Sequence, residues 1–129
     1  MAEGFPATTG DIFTAADYNG LVAFTVGAAQ TADYTAVIAD AYQVVELMNK
    51  ATAIAYKIPT NASVAFPIGT VLTILNIGVG TCTISAVTPG TTTILSAGAT
   101  AASPTLAQYK SAACIKTATD AWYVVGAIA

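Results

Sequence analysis

The chain has 129 residues, enough for one domain with a short appended segment and a single modest core. Charged residues make up 9% of it and hydrophobic residues 55%, whereas an ordinary soluble domain carries about 25% charge. Seven acids oppose four lysines, with no arginine and no histidine. This disfavours nucleic acid as a partner and removes the commonest general acid/base and metal ligand.

A surface this poor in charge has little to hold copies apart, so a homo-oligomer is expected. The start, Met-Ala-Glu-Gly-Phe-Pro, has an acid where a secretory signal has bases and lacks an apolar stretch, so folding in a cytosol is expected. The most apolar run, Val64 to Gly80, is interrupted by Pro67, Gly69, Thr70, Thr73 and Asn76 and is too short for a membrane span.

In chain order, residues 1–30 read as an arm, punctuated by Pro6, Gly10, Gly20 and Gly27. Thr14-Ala15-Ala16-Asp17 has the spacing of a capping box and predicts one helical turn over Ala15 to Leu21. Phe5, Ile12, Phe13, Tyr18, Leu21 and Phe24 are many apolar side chains for so short a segment. They are the candidate docking residues.

From Asp33 the texture becomes β. Runs of Val, Ile, Thr and Tyr, separated by Gly, Pro, Asn or Asp, predict strands over 34–39, 43–48, 53–58, 70–77, 82–87, 92–95, 106–117 with a break, and 121–128. A helix over Tyr42 to Lys50 competes with the second of these, and the strand is preferred because the next run follows at once.

In 53–58 the apolar Ile54, Tyr56 and Ile58 alternate with Ala53, Ala55 and Lys57, giving a half-buried strand. The 70–77 run is apolar on both faces, as in a central strand. Gly78-Val79-Gly80 predicts a hairpin into the strand that follows. The expected fold is mainly β: an antiparallel sandwich or barrel-like domain over 31–129, with a jelly roll among the options, behind the arm with its helical turn.

No chemistry stands out. Gly78-Val79-Gly80 precedes a strand, so it is not a phosphate loop. The serines lack a base, and most acids fall at turns or near the N-terminus. Glu46, within a strand, is expected to form a surface ion pair with Lys50 or Lys57.

Cys82 and Cys114 read as buried free thiols, and no metal site is expected. Trp122 and Tyr123 are either core aromatics or a stacking platform for a glycan. Catalytic residues and cofactors are expected to be absent, with a carbohydrate-active enzyme as a remote alternative built on Glu46.

Three segments, Ala39 to Asn49, Ile58-Pro-Thr-Asn-Ala-Ser-Val-Ala-Phe-Pro-Ile-Gly-Thr70 and Asn76-Ile-Gly-Val-Gly80, precede a closing Asp120-Ala-Trp-Tyr-Val-Val-Gly126. In this order they resemble a β-domain of tailed-bacteriophage virion proteins of the head-decoration, head-fibre and tail-fibre-knob type. Gly10 to Leu21 is similar to a segment near the start of phage appendage proteins.

The resemblance implies a non-catalytic, trimeric, β-rich projection displayed on the virion surface after assembly in the host cytoplasm. Its partner would be the major capsid protein or, alternatively, other tail proteins, with no nucleic acid or membrane contact. The absence of a long shaft favours a capsid decoration protein or short head fibre. A tail-fibre or tail-tip knob that binds a host glycan is the alternative.

Overall fold

A computed structural model describes residues 14–15 and 23–129. The strands are β1 (Thr25–Val26), β2 (Tyr34–Thr35), β3 (Val44–Met48), β4 (Ile54–Ile58) and β5 (Val71–Asn76). They continue with β6 (Cys82–Ala86), β7 (Thr93–Ser96), β8 (Thr105–Leu106), β9 (Lys110–Ala118) and β10 (Ala121–Gly126). A single 3₁₀ turn spans Ile38–Ala41.

The strands form two sheets, a six-stranded one in the order β1-β3-β5-β9-β10-β7 and a four-stranded one in the order β2-β4-β6-β8. Their inner faces share one core. Tyr56, Ile58, Ile84 and Leu106 come from the smaller sheet and Leu72, Ile74, Cys114, Trp122 and Val124 from the larger, all nearly or fully buried.

The mainly β class is as expected, but the sheets are mixed, not antiparallel. Odd-numbered strands β1, β3 and β5 pair in parallel in the larger sheet, and even-numbered β2, β4 and β6 pair in parallel in the smaller. The chain therefore winds as a flattened coil, laying one strand on each sheet per turn.

Val45 pairs with Thr73, Ile54 with Cys82 and, later, Thr93 with Ala121, each a step of 28 residues. Antiparallel pairing enters with β8 on β6 and with β9 on β5 and β10.

The hairpin expected at Gly78 to Gly80 does not form, because β5 and β6 lie in different sheets. The segment is instead a corner of the coil, stacked on the corner before it. Ile77 N–H donates to Met48 C=O at 2.9 Å and Gly80 N–H to Lys50 C=O at 2.9 Å. A Cβ on Gly80 would collide with the Thr52 carbonyl, and one on Gly78 with the Lys50 backbone. Glycine is needed here for close approach, not for reversal.

The Asn76 side chain, fully buried, organises the same corner. Its amide donates to the carbonyls of Gly80 and Leu106 and accepts from Gly78 N–H.

Three further differences are local. The strand expected over 34–39 stops at Thr35 because the Asp40 carboxylate accepts the Val37 N–H at 3.0 Å and closes the 3₁₀ turn. The break in 106–117 falls at 107–109, where Tyr109 has φ of 64° and the chain passes from the smaller sheet to the larger. The last strand ends at Gly126, not at 128.

The segment 43–48 forms a strand over Val44–Met48, not a helix. Residues 25–30, counted with the arm in the sequence, join the larger sheet: β1 pairs with β3, and Gln30 bridges to Met48.

Candidate assembly surface

Phe5, Ile12, Phe13, Tyr18 and Leu21 of the arm lie outside the described residues, and Phe24 stands 54% exposed just before β1. Of the helical turn expected over 15–21, only Ala15 is described, and it is helical.

The interior polar groups satisfy one another. Lys116 on β9 is 2% exposed, yet its Nζ donates to Asn61 Oδ1 at 2.6 Å and to the Phe66 carbonyl at 2.7 Å. It also lies 5.9 Å from the centre of the Trp122 ring, a cation–π distance.

Asp120 Oδ1 accepts from Asn61 N–H at 2.7 Å and from the Thr92 hydroxyl at 3.2 Å. Phe66 meets Trp122 edge-on at 5.5 Å. The Ile58–Thr70 loop and the closing Asp120-Ala-Trp122, far apart in sequence, are thus one fastening across the core. Trp122 is 2% exposed and its ring is committed to this packing. Of these two aromatics, Tyr123 is the exposed one, at 45%.

Glu46 is not the surface ion-pair residue expected. It is 4% exposed, points inward from β3 and accepts from the Gln30 amide at 3.0 Å. Alternation places it on the same face as the buried Met48, which carries it into the core.

Asp40 sits nearby and accepts the Tyr34 hydroxyl at 2.7 Å. Burial first, and then the neighbouring Asp40 carboxylate, push the Glu46 carboxyl above its ordinary range. Burial and the bond to Asp40 likewise raise the Tyr34 hydroxyl.

Cys82 and Cys114 are buried free thiols. Burial pushes Cys82 up to about 11 and Cys114 higher still. Neither thiol is an activated nucleophile. Among the described residues no three His, Cys, Asp or Glu side chains gather as a metal set, and no helix is long and apolar enough to cross a membrane.

The two outer faces differ sharply in chemistry. On the smaller sheet the outward ladders are Thr35-Lys57-Ser85 and Ala55-Thr83-Thr105, nearly all polar. On the larger sheet one outward ladder runs Val71-Ile115-Tyr123-Leu95 across four strands. The next runs Val26-Val45-Thr73-Ala113-Val125 and the third Leu47-Leu75-Ser111.

These three ladders carry no charged side chain. Val26, Val71, Leu95, Tyr123 and Val125 are 42–64% exposed. An apolar groove of about 370 Å³ lies at the β7–β10 margin, lined by Leu95, Tyr123, Val125 and Ile128 among others.

Strand alternation makes this face legible, because Val45 and Leu47 stand opposite Glu46 and Met48. Apolarity on both faces of 70–77 marks a central strand. β5 is indeed central within its sheet, but one of its faces is open.

Comparison of the chain with protein-family models, with curated proteins and with solved structures gives no match.

Proposed function

We propose that the chain is a structural protein of a bacteriophage virion, a capsid decoration protein or short head fibre. Its N-terminal segment docks on the major capsid protein and its β-domain trimerises outward. The observation that supports this reading is the charge-free apolar outer face of the larger sheet, set against a polar opposite face. Contiguous apolar patches of this kind mark surfaces that assemble with other chains.

The resemblance of the ordered segments to phage β-domains supports the biological setting. The tail-knob alternative is weakened at one residue, since Trp122 is taken up by the core.

Immunogold labelling of virions tests the location: label over the head is expected, and label at the tail tip would transfer the protein to the tail. Deleting residues 1–22, which leaves β1 in place, should give a folded oligomer that no longer binds capsids. Retained capsid binding would remove the docking role from that segment.

A further inference from the structure

We propose that Lys116 and Asn61 join after folding in an isopeptide bond between Nζ and Cγ, with Asp120 as the proton carrier. The bond goes beyond the virion role and does not rest on it.

The first observation is proximity. Lys116 Nζ donates to Asn61 Oδ1 at 2.6 Å. A carbonyl bond is about 1.2 Å long, so Asn61 Cγ lies within about 3.8 Å of Nζ whatever the angle. Reacting atoms held about 3–3.5 Å apart react as an intramolecular pair of very high effective concentration. The Phe66 carbonyl at 2.7 Å and the Trp122 ring, with its centre at 5.9 Å, hold Nζ in this place.

The second observation is charge. Lys116 is 2% exposed, and the two oxygens it meets, one amide and one backbone carbonyl, are neutral. A buried ammonium without an ionised partner is costly. Joining it to Asn61 removes that charge from the interior, because the product is a neutral amide.

The third observation is the setting of Asn61. Asp120 Oδ1 accepts the Asn61 N–H at 2.7 Å, so a carboxylate rests against the residue that would lose its amide nitrogen. Asn61 is itself partly exposed in the Ile58–Thr70 loop, which gives the leaving nitrogen a way out.

The step balances without a co-reactant. Asp120 takes one proton from the Lys116 ammonium, and the freed electron pair on Nζ attacks Asn61 Cγ. The tetrahedral intermediate passes a second Nζ proton to Nδ2, the Cγ–Nδ2 bond breaks, and ammonia leaves. Asp120 returns its proton to the ammonia, so ammonium is released and nothing is oxidised or reduced. The new bond ties the loop after β4, in the smaller sheet, to β9 in the larger. It closes a covalent ring between positions 55 residues apart.

The test is the intact mass of the denatured wild-type chain, followed by a tryptic map. With or without Met1, the mass should fall short of the sequence by one ammonia. Acylation blocks cleavage after Lys116, so peptide 58–110, which holds Asn61, should be found bonded to 111–129. A mass equal to that of the sequence would overturn the proposal. So would a lost ammonia with peptide 111–116 released free, which would place the loss in a ring closure at another asparagine, such as Asn19 before Gly20.

Lys116→Met and Asp120→Asn should each show the full mass of their own sequence. Position 120 has φ of 54°, which asparagine tolerates, so the second variant can keep the turn. A complete bond in Asp120→Asn would overturn the proton-carrier assignment. A purely structural role for these residues would lower the melting temperature of both variants while leaving the wild-type mass undiminished, which is why the mass decides.

Discussion

Glu46 shows how much one position can carry. A carboxyl group held above its ordinary range binds a proton more readily folded than unfolded. Its contribution to stability is therefore present in full below the ordinary glutamate value of 4.5 and is lost as pH rises through the raised value. The groups acting on it are Asp40, Gln30, Tyr34 and Tyr56, none of them a cation.

Glu46→Gln keeps the shape and removes the ionisation. Its urea midpoint should match the wild type near pH 4 and exceed it increasingly toward pH 8. A difference that does not change with pH would contradict this account. The burial of Glu46 escaped the sequence reading because a lone acid in a strand is more often solvated. The corrective signal was parity, since Glu46 shares its side of β3 with Met48.

Among the elements, the strands were legible and their neighbours were not. Period-two alternation in Ile54–Ile58 or Cys82–Ala86 reports which residues face inward, and nothing about which strand lies alongside. Gly78 and Gly80 suit a tight hairpin and a stacked corner equally well, because both need a backbone without Cβ. Only the stacking of the corner on Lys50 to Thr52 decides between them.

The corner reading has its own consequence. Gly80→Ala forces a methyl group into the Thr52 carbonyl and should cost about 1–3 kcal/mol in chemical denaturation, as overpacking does. A neutral result would mean that the corners do not touch. The two-residue β1 was missed because Thr25 and Val26 are too few to show a period. Of the surface, the scarcity of charge was legible, but the position of the apolar face required the ladder register.

At the scale of the whole molecule, the two sheets share one core and are sewn together by the coil, so they should unfold as one unit. Cys82 and Cys114 report on this, one from each sheet, both buried and both made weaker acids by that burial. Neither should react with a thiol reagent at pH 8 in the native protein, and both should become reactive in a single urea transition. Staggered exposure would show that the sheets are separate cooperative units.

The 28-residue step sets a unit of growth. Because β3 and β5 pair in parallel in one sheet and β4 and β6 in the other, duplicating residues 45–72 would add one strand to each sheet without disturbing any register. Each added unit would extend the stack by about 4.8 Å. A lineage using this architecture could therefore change the length of the domain by whole increments, while the two outward faces kept their separate chemistries along the added length.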